Sequence, residues 1–199
     1  MSALPKTKVI AITGTIGSGK STAGHYLKTI YPVLDCDQVN AELLQPGHEG
    51  EKRLRTLSWI HYDQDGKIDK QNMASQMFQD HQKKQSVESI LHPLIFEAID
   101  RWEKEQKSSL LFVEIPLLFE IGAQDRFDEV WCVAIPNDLA CKRLVEGRGF
   151  LEMEARQRIK NQFSLEYKVS NSDKVFWNTG SQEKLIEQIK KACQEEGTL

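Results

Sequence analysis

The chain has 199 residues, 40% of them hydrophobic, which is enough for one domain of moderate size with small insertions. Its 26 basic and 29 acidic residues are spread along the sequence and give a net charge of −3, so no basic block marks nucleic acid as the main partner. No apolar run approaches the length of a membrane span, and the first predicted strand begins too close to Met1 for a signal peptide. We therefore expect a cytoplasmic protein that acts without a membrane or a nucleic acid.

The cysteine pattern agrees with that location. The four cysteines show neither CxxC spacing nor a histidine partner at zinc-finger spacing, so reduced thiols are the simplest interpretation. They are Cys36, Cys132, Cys141 and Cys193. The sequence leaves the oligomeric state open, and a monomer is our default expectation.

The first predicted elements are a strand, a glycine-rich loop and a helix. Residues 8–13 form an apolar run typical of a buried strand, and residues 21–30 place apolar side chains at helical spacing. The inward-facing residues of that helix are predicted to be Ala23, Tyr26, Leu27 and Ile30. A strand, a loop and a helix in this order aim the N-terminus of the helix at a phosphate group.

The loop between them fits the phosphate-binding pattern G-x-x-x-x-G-K-[ST] from Gly14 to Ser21. Gly17 and Gly19 allow a tight backbone path on which consecutive N–H groups point into one anion-sized hollow. Lys20 would then reach the β- and γ-phosphates, and the Ser21 hydroxyl would ligate Mg²⁺. An accidental glycine-rich turn is the alternative, which the flanking strand and helix disfavour. The predicted nucleotide-binding residues of the loop are Gly17, Ser18, Gly19, Lys20, Ser21 and Thr22.

Two aspartates lie at the end of a short second strand, which is predicted over residues 33–36: Asp35 within it and Asp37 directly after it. In an extended chain the carboxylates of Asp35 and Asp37 would face the same way at the carboxyl end of the strand, where open α/β sheets bind ligands. Asp37 also opens a predicted helix, and a helix N-cap is its ordinary structural role. Near a phosphate loop, a carboxylate at this edge can instead act as a general base or as an outer partner of magnesium. The structural and functional roles are compatible.

Residues 48–108 are mostly helical in pattern and rich in polar side chains. A turn is predicted over residues 63–66, and Asp69 is positioned to cap the helix that follows. His92 precedes Pro93, which can begin the next helix in its first turn. A histidine beside a proline is more often a packed junction residue than a ligand.

A continuous apolar run over residues 110–115 predicts a central parallel strand that is buried on both faces. Glu114 lies at the carboxyl end of this strand, near the expected position of the phosphate loop. Its carboxylate could hold a magnesium-bound water or cap a loop. The apolar segment 116–120 follows directly, and such a segment normally packs in a core.

Another buried strand is predicted over residues 129–135, and Asn137 or Asp138 would cap the helix after it. The segment Gly147-Arg148-Gly149 then breaks the helical pattern, and a second helix is predicted over residues 152–163. Basic residues on two helices around a glycine hinge suggest a lid that closes over phosphates and excludes water. A solvated helical hairpin is the alternative.

A strand over residues 174–177 and an amphipathic helix complete the pattern. The helix is predicted to face inward with Leu185, Ile186, Ile189 and Ala192. The alternation of strands and helices along the chain predicts an α/β fold with a mostly parallel sheet and right-handed crossovers.

The chain resembles dephospho-CoA kinase along nearly its whole length. The phosphate loop is shared by many enzymes, whereas the Asp-x-Asp, His-Pro and Pro-Leu-Leu-Phe-Glu segments in this order are far more specific. The stretches that carry the resemblance are residues 13–22 (TGTIGSGKST), 34–37 (LDCD), 65–69 (DGKID), 92–95 (HPLI), 116–120 (PLLFE), 158–162 (RIKNQ) and 178–181 (NTGS).

The resemblance implies a P-loop kinase fold of the nucleotide-kinase type, with a five-stranded parallel sheet flanked by helices. The core would comprise residues 7–47, 109–142 and 172–199, the helical CoA-binding insertion about residues 48–108, and the lid about residues 143–165. It also implies the last step of coenzyme A synthesis, in which ATP phosphorylates the ribose 3′-hydroxyl of dephospho-CoA. The implied cofactors are ATP and Mg²⁺, and the implied partner is the small-molecule substrate dephospho-CoA.

The resemblance also implies roles for individual residues. Asp37 would be the base for the acceptor hydroxyl, while Lys20 and Ser21 would handle phosphates and Mg²⁺. The loop that contains Asn178 and Gly180 would lie against the adenine of ATP. The residues expected to border dephospho-CoA are Asp37, His92, Pro93, Leu117, Leu118 and Glu120; the expected metal-site residues are Ser21 and Glu114.

The sequence departs from the family pattern in three places. The lid usually carries Arg-Asp before its glycine, and here the corresponding pair is Gly147-Arg148. Arg148 and Arg143 are therefore both candidates for the lid arginine. The arginine expected after Asp69 is Lys70, which keeps the charge but loses the bidentate fork. The Phe-Gly pair that usually precedes the Asp-Gly turn is absent.

Two other functions are compatible with the phosphate loop alone. One is a related kinase that acts on another small hydroxyl substrate, such as a nucleotide or a sugar acid. The other is a nucleotide-binding regulator without chemistry, for which the altered lid would be a symptom. The His-Pro and Pro-Leu-Leu-Phe-Glu segments favour the dephospho-CoA kinase interpretation over both.

Overall fold

The structure is a computed structural model that describes residues 7–196. The chain divides into two compact units. Of the described residues, the first unit contains 7–34 and 106–196, and the second contains 35–105. The second unit thus includes most of the stretch expected to form the insertion. Residues 197–199, the end of the predicted core, lie outside the described residues.

A five-stranded sheet forms the framework of the fold. Its strands are β1 (Lys8–Gly14), β2 (Val33–Asp35), β3 (Leu110–Glu114), β4 (Glu129–Ala134) and β5 (Lys174–Trp177). Their order across the sheet is β2-β3-β1-β4-β5. β1 pairs in parallel with β3 and β4, and β4 pairs in parallel with β5. The predicted α/β class and parallel sheet are confirmed, and every residue of β3 is buried, as its apolar run predicts.

The helices alternate with the strands or lie in the stretch between β2 and β3. They are α1 (Lys20–Lys28), α2 (Cys36–Leu43), α3 (Glu49–Leu54), α4 (Lys70–Gln79), α5 (His81–Glu105), α6 (Asn137–Arg148), α7 (Glu152–Lys160), α8 (Leu165–Ser170) and α9 (Gln182–Glu195), with a short 3₁₀ helix at Gln124–Arg126. None of the helices within residues 7–196 combines the length and the hydropathy needed to cross a bilayer.

An aromatic row lies at the centre of the first unit. Tyr31, Phe112, Trp131 and Phe176 follow one another with adjacent ring centroids 5.5, 5.2 and 5.2 Å apart. Apolar residues of α1 and α9 pack in the same cluster: Ala23 and Leu27 from α1, and Leu185, Ile189, Ala192 and Cys193 from α9. This packing buries the inward faces of the first and last helices on the sheet that carries the phosphate loop.

The second unit has a core of its own. Its buried apolar residues are Leu44, Leu54, Ile60, Ile68, Met73, Val87 and Leu91. The predicted turn over residues 63–66 is present, with the Asp63 side chain accepting hydrogen bonds from the backbone N–H groups of Asp65 and Lys67, both at 2.9 Å. Asp69 caps α4 as predicted, accepting from the Asn72 N–H at 2.9 Å.

Three predicted helix boundaries are wrong, two at the start of a helix and one at its end. Asp35, and not Asp37, is the N-cap of α2, since its side chain accepts from the N–H groups of Asp37 and Gln38. The helical path starts at Cys36, so the extended alternation predicted for the two aspartates does not continue. α6 is preceded by Pro136 and has no side-chain cap from Asn137 or Asp138. α1 ends at Lys28, which leaves Ile30 40% exposed instead of facing inward.

Pro93 does not begin a helix but lies inside α5. A proline in a helix interior removes one backbone hydrogen bond and is normally unfavourable. Here Val87 and Leu91 before it, and Leu94 and Ile99 after it, are all buried. The apolar face that continues through the proline keeps the two halves in one helix, which the local sequence rule could not anticipate.

The predicted lid region also differs in detail. α6 continues through Gly147 and ends at Arg148, with Gly149 as its C-cap at a left-handed φ of 70°. The next helix, α7, stops at Lys160 and does not reach Phe163. Its Ala155 packs with Cys141 and Leu144 of α6, and Ile16 of the phosphate loop joins the same cluster. The short helix α8 follows, which no sequence pattern had indicated.

We expect Phe112→Ala to lower the free energy of unfolding by about 3–5 kcal/mol, because it removes the middle of the buried aromatic row. Urea denaturation of the purified variant measures this loss. Phe78→Ala is the control, because Phe78 is 73% exposed and should change stability by less than about 0.5 kcal/mol. Equal losses in the two variants would contradict the assignment of the core.

Candidate active site

The phosphate loop joins β1 to α1 and takes its shape from glycine. Gly17 and Gly19 have φ angles of 77° and 91°, in the left-handed region that favours glycine. A Cβ at Gly17 would lie 3.2 Å from the Ala140 carbonyl oxygen of α6, and a Cβ at Gly19 would overlap the side-chain amide of Asn178. Both glycines are therefore required by backbone conformation and by close packing.

The N-terminus of α1 is open toward an anion. Gly19 is its N-cap and supplies no side-chain cap, and the first turn carries no acidic residue. The positive end of the helix dipole is thus uncompensated by the helix itself. Within residues 7–196, the buried hydroxyl oxygens of Thr15 and Ser18 have no hydrogen-bond partner. Buried polar atoms normally have partners, so a ligand oxygen suits this loop.

Lys20 and Glu114 form an ion pair at the same place. The Lys20 Nζ lies 3.0 Å from the Glu114 Oε1, and the two side chains are only 13% and 9% exposed. Glu114 ends β3, and its other oxygen lies against Gly24 of α1, where a Cβ would come within 2.5 Å of it. The absence of a side chain at Gly24 lets the carboxylate approach the helix. The predicted proximity of Glu114 to the phosphate loop is therefore present as direct contact with its lysine.

Asn178 connects the loop after β5 to the phosphate loop. It is buried, and its Nδ2 donates to the Ser18 carbonyl oxygen at 2.8 Å. Its own carbonyl oxygen accepts from the Arg143 Nη2 at 3.0 Å. Asn178 thus packs its side chain against the phosphate loop and holds the guanidinium of Arg143 from α6 beside it. Gly180, two positions further, is exposed in the same loop.

The basic residues of the predicted lid have different surroundings. Arg148 is exposed at the last position of α6, whereas Arg143 is half-buried and bound to Asn178. Arg158 lies over the ring of Phe150, with 4.7 Å from its guanidinium carbon to the centroid. Of the two candidates for the lid arginine, Arg143 is thus the one linked to the phosphate loop, through Asn178.

Gln162 is a contact of the phosphate loop that sequence reasoning did not assign. Its Oε1 accepts from the Ile16 N–H at 2.8 Å, which ties the chain after α7 to the loop. The residue belongs to a stretch that carries the family resemblance, but its spacing from the loop gives no sign of this bond. The two residues are far apart in sequence, and only the packing of α7 on α6 brings them together.

The segment 116–120 has one exposed and several buried side chains. Leu117 is 43% exposed, whereas Leu118 is fully buried and Phe119 nearly so. The Leu118 side chain thus supports the segment from within, and Leu117 is presented to solvent. The Glu120 Oε1 accepts from the Phe163 N–H at 2.8 Å, so the segment also contacts the chain after α7.

The remaining predicted site residues belong to the second unit. Asp37 lies in the first turn of α2 and is exposed, while the Asp35 carboxylate caps that helix. His92 is half-buried and Pro93 exposed on α5, the helix against which α2 packs. Within the first unit, the structure brings together Lys20, Glu114 and the glycines of the loop; within the second, it places Asp37 and His92 on two packed helices.

Comparison with known proteins identifies the family. The family model described as dephospho-CoA kinase matches residues 8–184. A dephospho-CoA kinase from Carboxydothermus hydrogenoformans is 36% identical over 186 residues, which cover 91% of this chain and 90% of the relative. The match covers most of both chains, so it concerns the whole architecture and not the phosphate loop alone.

Solved structures agree with this result. A crystal structure of a protein from Thermus thermophilus is similar with a TM-score of 0.85 and 32% identity, covering 96% of this chain and 98% of the other. A dephospho-CoA kinase from Campylobacter jejuni has a TM-score of 0.67 and 26% identity, with the same coverage of 96% and 98%. These likenesses confirm the predicted P-loop kinase fold. The chain belongs to the dephospho-CoA kinase family, the phosphotransferases that complete coenzyme A synthesis.

Proposed function

We propose that this protein transfers the γ-phosphoryl group of ATP to the ribose 3′-hydroxyl of dephospho-CoA, which gives CoA and ADP. The observation that carries the proposal is the phosphate loop of a chain in this family, with an uncapped helix N-terminus and a lysine held in place by Glu114. In phosphoryl transfer a protein mainly positions the reactants in line and neutralises charge. The loop is suited to both tasks.

The donor set near the loop fits a magnesium ion bound together with a nucleotide. Mg²⁺ is usually held by one or two carboxylates, substrate phosphates and water, and seldom by a cage made of protein alone. The described residues contain no cluster of three or more His, Cys, Asp or Glu side chains suited to a metal. The Ser21 hydroxyl would bind the ion directly and Glu114 through a water molecule. The ion would neutralise charge on the β- and γ-phosphate oxygens.

Asp37 is the proposed base. Its ordinary structural explanation, helix capping, does not apply, because Asp35 supplies the cap of α2. The exposed carboxylate in the first turn of α2 can therefore serve chemistry without being needed for that cap. In a loose transition state, it would accept the proton of the 3′-hydroxyl late in the transfer.

The acceptor site is proposed from the family resemblance, with support from local structure. Dephospho-CoA would be bordered by His92 and Pro93 on α5 and by the exposed Leu117. Glu120 and the buried Leu118 would hold the segment 116–120 in the conformation that exposes Leu117. Asn178 would shape the ATP site by holding the phosphate loop, with Gly180 on the exposed part of the same loop. The second unit would serve as the CoA-binding insertion, and residues 143–165 as the lid.

We also propose that the protein is cytoplasmic and monomeric. No disulfide forms among the described residues, and all four cysteines are buried. Burial raises the pKa of the Cys132 and Cys193 thiols to about 11, so both stay protonated at neutral pH. Inert, reduced thiols fit a cytoplasmic enzyme. A monomer remains our expectation for solution.

The first test is ADP release from Mg-ATP by the wild-type protein with and without dephospho-CoA. We expect release that depends on dephospho-CoA, CoA as the product, and loss of release when EDTA removes Mg²⁺. A panel of other small hydroxyl acceptors serves as the control. ATP binding without acceptor-dependent release would contradict the proposal and favour a regulator, whereas release with another acceptor would replace dephospho-CoA as the substrate.

We expect Asp37→Asn to lower kcat by roughly 10²-fold or more while ATP binding is unchanged, because the variant loses the proton acceptor but keeps the shape of the side chain. Steady-state kinetics and ATP titration measure the two quantities. Asp35→Asn is the matched control, since asparagine is also a good N-cap and should leave turnover near normal. Near-normal turnover in Asp37→Asn would remove the base assignment.

We propose that Arg143 is the arginine that acts at the phosphates. Arg143→Ala should lower kcat/KM for ATP by roughly 10²-fold, because the variant loses one cation near the transferred group. Steady-state kinetics at varied ATP concentration measure this change. Arg148→Ala is the control, and we expect an effect of only several-fold, since Arg148 is exposed at the end of α6. The opposite ranking of the two variants would assign the role to Arg148.

A further inference from the structure

Among residues 7–196, Lys168 on α8 is the one buried basic residue, and its exposure is 0%. A buried ammonium is unfavourable unless it is paired and hydrogen-bonded. Lys168 lies on α8, a helix that the sequence did not indicate. Its partners therefore need to be accounted for.

The Lys168 ammonium contacts both ends of one segment. Its Nζ lies 2.8 Å from the Glu120 Oε1 and donates to the Pro116 carbonyl oxygen at 3.4 Å. Pro116 and Glu120 are the first and last residues of the segment 116–120, which is proposed to border dephospho-CoA. One buried cation thus bridges the start and the end of this segment.

The same two acceptors connect the segment to the nucleotide side of the first unit. The Pro116 carbonyl also accepts from the Thr13 hydroxyl at 3.4 Å, one residue before the first glycine of the phosphate loop. The Glu120 Oε1 also accepts from the Phe163 N–H at 2.8 Å, just after α7 of the proposed lid. Lys168 shares its acceptors with both of these elements.

The side chains of the segment need such support. Leu118 is fully buried and Phe119 is 4% exposed, while Leu117 between Pro116 and Leu118 is 43% exposed. Phe119 packs edge-on against Tyr167 of α8, with ring centroids 5.8 Å apart. The segment therefore rests on α8 through an aromatic contact and an ion pair, with Leu117 held outward.

We propose that Lys168 is a positioning residue for the acceptor: it sets the conformation in which the segment 116–120 meets dephospho-CoA. The substrate does not touch Lys168, because the side chain is fully buried. The inference rests on the proposed function, since that function places the segment at the acceptor. A methionine of similar length would fill the same space but would leave Pro116 and Glu120 without their shared donor.

The test compares Lys168→Met with Lys174→Met. Lys174 also pairs with a glutamate in the first unit, Glu196, at 2.5 Å, but it lies on β5 away from the segment 116–120. We expect Lys168→Met to raise KM for dephospho-CoA by about 10-fold or more, as small displacements of positioning groups do, and to leave KM for ATP within about 2-fold. Lys174→Met should change neither. Equal changes in the two KM values, or none, would overturn the proposal.

Hydrogen exchange gives a readout that does not require activity. The N–H groups of Ile121, Gly122 and Ala123 donate to the carbonyls of Leu117, Phe119 and Leu118, so they report on the turn that closes the segment. We expect faster exchange at these three amides in Lys168→Met and no change in Lys174→Met. Unchanged exchange would overturn the proposal even if the wild type proved inactive toward dephospho-CoA, so the two failures are distinguishable.

Loss of the buried pair between Lys168 and Glu120 should lower the Tm of Lys168→Met by roughly 10 °C. The kinetic and the hydrogen-exchange measurements are therefore made well below the temperature at which this variant unfolds. If Lys168→Met does not fold, Lys168→Gln replaces it, because it keeps a buried donor on a shorter side chain that cannot bridge both ends. The same KM split and exchange pattern are then expected. A Lys168→Gln variant with wild-type KM values and exchange would overturn the proposal.

Discussion

The phosphate loop keeps its shape because neighbouring elements occupy the space that side chains would take at its glycines. The backbone of α6 comes close to Gly17, and the Asn178 amide fills the space beside Gly19. The Asn178 side chain then donates to the Ser18 carbonyl. Glycine by itself allows many backbone conformations. The packing of α6 and Asn178 around Gly17 and Gly19 restricts the loop to one conformation, which is the one suited to an anion.

Charge in the first unit is arranged around this loop in buried or half-buried pairs. Glu114 contacts Lys20 at the end of β3, and Glu120 contacts Lys168 a few residues later in the chain. A buried pair contributes little net stability, but removal of one partner is strongly destabilising. Such pairs therefore serve geometry: the first holds the phosphate-loop lysine, and the second bridges the segment proposed to meet the acceptor.

The described contacts also connect the phosphate loop with the segment 116–120 inside the first unit. Gln162 binds the Ile16 N–H of the phosphate loop, and Phe163, the next residue, binds Glu120. The chain that leaves α7 thus contacts both the phosphate loop and the segment 116–120. Movement of the proposed lid would act on both at once, which is the coupling a kinase needs to exclude water before transfer.

The sequence by itself determined the phosphate loop, the five strands, the α/β class and the family, because these depend on local patterns: glycine spacing, apolar runs and short motifs. The choice of Asp35 over Asp37 as the cap of α2 is also local, since the Asp35 side chain accepts from the N–H groups of Asp37 and Gln38. Tertiary structure alone decided that Pro93 lies inside α5 and that α8 exists. It also decided which partners Arg143, Gln162 and Lys168 find. These outcomes depend on contacts between residues far apart in the chain. The energies of such contacts outweigh local preference, and the contacts produce no periodic pattern in the sequence.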